Sequence, residues 1–371
     1  MPRMSVLACW GLAALMALSA ACGPAPPLRL GFLGGLSGRV ADLGVAGRNG
    51  AMLAVEQKNA AGGLGGRTVE LIVRDDGQES EQSRRALTEL LELGVEAIIG
   101  PMTSRVAMDT LPLLEKGPVV MVSPTVTTTL LTGRDDNFLR VISTTYQYAS
   151  KSARYHRQKL GQARAAAIYD VGNAAYSESW LHDFRQSFEE LGGRVVLTRA
   201  FRSSNEAAFL ETVTELLAAR PDLVVIISNA VDAALICQQV RKLDGAVAIA
   251  MSEWASTERF VELAGAAADG VVVAQFLDRN NTSRRYLDFE AAYRARFGQE
   301  PGFAGLAGYD AAQVVLKGLE LRQPGQSLKQ AIIAQKTFQG VQQVISVDQN
   351  GDADRATFIT MVKDGRYLTL E

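Results

Sequence analysis

Histidine and cysteine are almost missing from this chain. Its 371 residues include two histidines, His156 and His182, both in stretches that read as helical surface. Two isolated imidazoles exclude a Ser–His–Asp triad and a histidine-based metal site. The three cysteines are Cys9, Cys22 and Cys237. Cys237 lies in the helical pattern Ala233-Ala-Leu-Ile-Cys-Gln-Gln-Val240 and reads as a packed small hydrophobe, not a reactive thiol. An excess of one charge is also lacking. Lys and Arg number 38 against 40 Asp and Glu, a net charge of −2. The charges are interspersed, so there is no basic footprint for nucleic acid. Aromatics make up only 7% against 47% hydrophobic residues, so the core must rest mostly on Ala, Val, Leu and Ile. Gly31-Phe-Leu-Gly34-Gly35-Leu-Ser-Gly38 is glycine-rich but is not GxGxxG, and no Walker lysine follows it. Asp348-Gln-Asn350-Gly-Asp352-Ala-Asp354 starts like a calcium loop. It lacks glycine at the sixth place and glutamate at the twelfth, where Ile359 stands, so a hairpin turn is the reading. No cofactor, metal or enzymatic activity is expected.

One long apolar run is present, and it sits at the start. Arg3 precedes residues 6–21, which are apolar apart from Gly11 and Ser19. The run is short for a membrane span and has the layout of a secretory signal, with small residues before the cut. Leu18-Ser-Ala-Ala-Cys22 suggests a bacterial lipobox with Cys22 as the lipidated first residue. Ser19 stands where leucine is usual, and cleavage after Ala21 without lipid is the alternative. Residues 1–21 are then the signal peptide. Residues 22–27, with Gly23-Pro-Ala-Pro-Pro27, are a short stiff tether anchored to a membrane through lipid. An extracytoplasmic, membrane-anchored monomer is expected.

The remaining chain, about 350 residues, suggests two lobes of ordinary domain size. It alternates strand and helix. A short apolar strand at 28–32 runs into a Gly/Ser loop, a helix, a glycine-studded turn and a second strand ending in Asp75-Asp76. Further continuous apolar runs mark buried parallel strands near 69–73, 97–99, 119–122, 165–168, 223–227, 247–250 and 271–273. Helical patterns cover 81–93, 174–191, 206–219 and 283–297. Such alternation implies an α/β fold of mostly parallel sheets with helices on both faces. In open sheets of this kind, ligands bind at the carboxyl ends of the strands. The C-terminal segment changes character. Residues 344–347, the turn at 348–352 and residues 357–363 read as a hairpin, followed by Asp364-Gly365 and a last strand at 367–370.

The loop Gly35-Leu-Ser37-Gly38, the run Gly50-Ala-Met-Leu-Ala-Val-Glu56 and the turn Asn59-Ala-Ala-Gly62-Gly63-Leu-Gly-Gly66 resemble the type I periplasmic solute-binding proteins. That group contains the leucine/isoleucine/valine-binding protein, and the likeness continues along nearly the whole mature chain. The resemblance implies two interleaved lobes with a cleft between them: 28–144 plus 277–338, and 145–276 plus 339–371. It implies hinge closure on an amino acid and delivery to an ABC permease. The alternative is a ligand-sensing or regulatory lipoprotein on the same fold, binding amides or a protein partner without transport.

It also implies a site. Ser104, after Ile98-Ile-Gly100-Pro-Met-Thr103, matches the serine that holds the ligand carboxylate. Taken alone it is an ordinary helix cap. Thr125 and Thr127, in Ser123-Pro124-Thr125-Val126-Thr127, match a carbonyl and a hydroxyl offered to the ligand. Their bland reading is a turn satisfying its own backbone. Glu253, directly after a buried strand, matches the partner of the ammonium. A carboxylate in a closed cleft without a cation would be costly to desolvate. Tyr176, in Asp170-Val-Gly-Asn-Ala-Ala-Tyr176, matches a tyrosine that closes over the ligand. The relatives carry aromatic residues at the wall positions where this chain has Leu43 and Ala230, so either the cleft has room for a larger ligand side chain or Trp254 and Phe276 fill the space. Their disulfide is also lacking, with Gln78 and Thr103 at the matching places. Arg39 and Arg105 near the cleft leave an acidic ligand side chain open.

Overall fold

The computed structural model describes residues 25–115, 117–204 and 209–371. The expected signal peptide, Cys22 and the first residues of the tether lie outside the described residues. No helix among the described residues is long and apolar enough to cross a membrane.

Two lobes are built around two sheets. In the first, β1 (Leu28–Gly34), β2 (Val69–Asp75), β3 (Ala97–Ile99), β4 (Val120–Ser123) and β5 (Phe138–Arg140) lie in the order β2-β1-β3-β4-β5, all parallel. Strands β3 and β4 are buried along their whole length, as unbroken apolar runs require when helices cover both faces. The second sheet contains β6 (Arg164–Asp170), β7 (Arg194–Phe201), β8 (Leu223–Ile227), β9 (Ala248–Met251) and β10 (Val272–Gln275). Two C-terminal strands complete it, Phe358–Lys363 and Arg366–Thr369, running antiparallel at one edge.

The hairpin expectation needs correction. Residues 357–363 do not pair with Val344–Val347. The latter pairs with Thr337–Gln339 and Ala353–Asp354 in a small separate sheet, while Phe358–Lys363 pairs with β10 and with the last strand across the Asp364-Gly365 turn. The segment 339–354, expected in the second lobe, lies against the first. Arg140 N–H donates to Gly351 O (3.0 Å), and the fully buried Arg140 guanidinium donates to Asp352 (Nε–Oδ1 2.8 Å). Asp352 is thus engaged within the turn's own anchoring.

Two long helices show how glycine shapes the first lobe. Ala41–Ala60 packs along Gly302–Leu321. A Cβ on Gly50 would stand 2.0 Å from Gly305 O, and one on Gly308 would stand 2.1 Å from Gly47 O. The backbones touch where any side chain would hold them apart.

Three segments connect the lobes: after β5, after β10 and between Asp354 and Phe358. Arg355 ties them together. Its guanidinium donates to Asp310 Oδ2 (2.8 Å) and Val141 O (3.3 Å), and lies 4.5 Å from the centroid of the Phe276 ring. His156 also departs from expectation. It is fully buried, in a π-helical turn at Tyr155–Lys159, with Nδ1 2.8 Å from Gln162 Oε1. Burial pushes its pKa down to about 4.

Candidate functional site

The loops at the carboxyl ends of β3 and β4 face those after β6 and β9 across a narrow cavity of about 20 Å³. Ser104, Thr125, Thr127, Tyr176, Glu253, Leu43 and Trp254 all line it. Ala230 and Phe276 do not. Ala230 is packed at the start of its helix, beside the capping Asn229. Phe276 is buried against Phe303 and Arg355. Phe303 takes the wall position, with Met102 and Ile142.

The first-lobe side supplies hydroxyl groups. Thr103 is the N-cap of the helix Ser104–Thr110, so Ser104 stands at its first turn, where backbone N–H groups have no partner inside the helix. Ser104 Oγ and Thr127 Oγ1 are buried and have no hydrogen-bond partner among the described residues. The Thr125 hydroxyl is already used, donating to Met102 O at 2.6 Å. Thr125 therefore shapes the loop and offers the cavity a methyl group and backbone. Thr103 Oγ1 donates to Gln78 Oε1 at 3.0 Å. The two positions that match the relatives' disulfide are joined here by a hydrogen bond.

The second-lobe side supplies an acid. Glu253 follows β9 on a short 3-10 turn, Glu253–Ala255, and is 4% exposed. Trp180 Nε1–H donates to its Oε2 at 2.9 Å. Its Oε1 has no partner. Burial pushes the Glu253 carboxyl up to about 7, against the Trp180 hydrogen bond, which favours the ionised form. Trp180 is held in turn by stacking on Phe184 (5.4 Å between centroids), and Phe184 stacks on Phe188 (5.2 Å). The three rings recur every fourth residue on one face of the helix Ala174–Glu190. Tyr176, on the same helix, meets Trp254 edge to face at 5.4 Å and accepts the Trp254 N–H at 3.4 Å. Burial raises its phenol well above the ordinary range.

The arginines near the cleft are committed elsewhere. Arg39 pairs with Asp232 (2.6 Å). Arg105 donates to Gln78 O (3.2 Å) and to Gly172 O (3.3 Å) across the cleft. Its backbone N–H donates to Asn173 Oδ1 at 2.9 Å. Neither arginine lines the cavity, which argues against an acidic ligand side chain. The cavity thus joins unpaired hydroxyls, one unpaired carboxylate oxygen and an aliphatic-aromatic wall, the inventory of a binding pocket for something small and polar at one end.

The model of the periplasmic binding proteins matches residues 27–366. The chain belongs to the periplasmic binding protein family. Among curated relatives, the Leu/Ile/Val-binding protein BraC3 of Rhizobium johnstonii is 28% identical over 296 residues, 79% of either chain. The leucine-binding protein LivK of Thermotoga maritima has a similar structure, with a TM-score of 0.84 at 25% identity, covering 93% of this chain and 98% of that one. A solute-binding protein of an R. palustris ABC transporter, in complex with benzoate, shares the fold at TM-score 0.84 and 19% identity, covering 93% of this chain and 95% of that one. The type I fold is therefore common to proteins with different ligands.

In this periplasmic binding protein, several cavity residues escaped the sequence reading. Met102 and Phe303 look like ordinary core residues, and Phe303 lies in a glycine-rich helix remote in sequence. Asn173, and Trp180 behind Glu253, had a usable signal. Asn173 lies inside the Asp170–Tyr176 loop, and Trp180 is one helical turn beyond Tyr176.

Proposed function

We propose that this chain is an extracytoplasmic solute-binding lipoprotein that captures an aliphatic amino acid and delivers it to an ABC permease. The observation that carries this is Glu253. A buried carboxylate with one unpaired oxygen, lining one narrow cavity with the unpaired hydroxyls of Ser104 and Thr127, suits a ligand that brings both a cation and an anion. The ligand ammonium would meet Glu253, and its carboxylate would meet Ser104, Thr127 and the helix start. Leu43, Met102, Ile142 and Phe303 would surround an aliphatic side chain. The names of the curated relatives support the leucine, isoleucine and valine class.

Closure would pivot on the three connecting segments, with residues 28–144 and 277–354 moving against 145–276 and 355–371. Cys22 would carry the lipid, the chain would act as a monomer, and its closed form would be what the permease recognises. A thermal-shift screen tests the ligand class. L-leucine, L-isoleucine, L-valine, L-alanine, benzoate and short amides are each added at about a hundred times a micromolar Kd, where a true ligand adds about 2.7 kcal/mol of stability. A shift with aliphatic amino acids alone supports the proposal. A shift only with benzoate or amides sinks it and favours the non-amino-acid reading.

A further inference from the structure

The opening loop of the mature chain reaches across the cleft. Arg39 sits in the 3-10 turn Gly38–Val40, just before the first long helix. Its Nη1 donates to Asp232 Oδ1 at 2.6 Å, between residues 193 positions apart. Asp232 is fully buried, and its other oxygen accepts from Asn229 Nδ2 (2.6 Å) and from the Ser203 hydroxyl. The acceptor is therefore anchored wholly inside the second lobe, and the donor rides on the first. Three residues beyond Arg39, Asp42 accepts the Thr257 hydroxyl at 2.6 Å, a second contact between the lobes on the same side of the cavity.

We propose that Arg39 and Asp232 form a latch that sets the balance between the open and closed lobes, and with it the affinity and release rate of the ligand. The physical reason is asymmetry between the two states. When the lobes part, both charges regain water and neither depends on the other. When they close, Asp232 is removed from water and Arg39 becomes its cationic partner. Losing one partner therefore penalises the closed form and leaves the open form almost untouched. Such a shift lowers apparent affinity by the change in closed population and acts mainly on dissociation. The ligand touches neither residue, since neither lines the cavity.

The proposal rests on closure around the cavity described above but not on the identity of the ligand, and its test separates the two. Arg39→Gln, Asp232→Asn and the double variant are compared with the parent by small-angle scattering without ligand and by stopped-flow release of L-leucine. Each single variant should enlarge the ligand-free radius of gyration and speed leucine release about tenfold or more. The double variant should be no worse than either single one, because the residues act as a unit. Unchanged radii and release rates, or effects that add in the double variant, would overturn the latch. If the parent does not bind leucine, the amino-acid reading fails. The scattering comparison then decides the latch alone: enlarged radii support it and equal radii overturn it.

Discussion

Replacing Glu253 by Gln should stabilise the ligand-free protein above neutral pH while weakening its grip on an amino acid. The first half follows from burial. Its carboxyl is raised from 4.5 to about 7, so the ionised form is disfavoured in the folded state by about 3 kcal/mol. The sign follows from proton linkage. A folded-state pKa above the unfolded one gives stability that is complete below pH 4.5 and is lost as pH rises through about 7. Glutamine keeps the shape and an acceptor for Trp180 Nε1–H without the charge. The variant should therefore exceed the parent by about 1 kcal/mol at pH 5 and about 3 kcal/mol at pH 8. Urea unfolding of the ligand-free proteins at both pH values measures the gap directly. A gap that is equal at the two pH values, or a variant less stable than the parent at pH 8, would refute the reasoning. It would mean that Glu253 already has a cationic or strongly donating partner.

Three further outcomes test the frame around the site. Gly50→Ala places a methyl group 2.0 Å from Gly305 O, so it should cost about 1–3 kcal/mol or more by forcing two helices apart, read by denaturant titration. Asp310→Asn leaves the buried Arg355 without its anionic partner at 2.8 Å. It should cost about 3–5 kcal/mol, and an unchanged midpoint would contradict the role given to Arg355 among the connecting segments. Cys237 is buried, its Sγ lies 3.0 Å from Ala267 O, and desolvation raises its thiol to about 11. It should resist a thiol reagent at pH 8 until the protein unfolds, and rapid labelling of native protein would contradict that.

Much of the fold was legible because buried parallel strands are unbroken apolar runs. The strand starts near residues 28, 69, 97, 165 and 223 could be read directly. What escaped has physical reasons. Phe138–Arg140 is only three residues long, and Arg194–Phe201 is a half-buried edge strand with mixed polarity. The helix Gly302–Leu321 carries glycines at 302, 305, 308 and 318, which read against helix until the partner helix is seen to need them. The pairing of residues 344–363 turned on long-range partners, Arg140 for the turn and β10 for the later strand, that no local pattern reveals. At the site, polar residues at strand ends stood out, and the structure brings Ser104, Thr125, Thr127, Tyr176 and Glu253 to one cavity. The apolar wall did not stand out, because Met102 and Phe303 carry no mark that separates a cavity wall from core. Ala230 and Phe276 were misplaced for the same reason.

The central claim is that the cavity binds a zwitterion with its ammonium on Glu253. Calorimetry comparing L-leucine with 4-methylpentanoate, the same molecule without its amino group, tests this most directly. The account predicts that the deaminated analogue binds at least about tenfold more weakly to the parent, a difference of at least ~1.4 kcal/mol. It also predicts that Glu253→Gln weakens leucine while narrowing the gap between the two ligands, since losing one side of a buried charge pair costs about 2–5 kcal/mol. Equal affinity of the parent for leucine and its deaminated analogue would contradict the account.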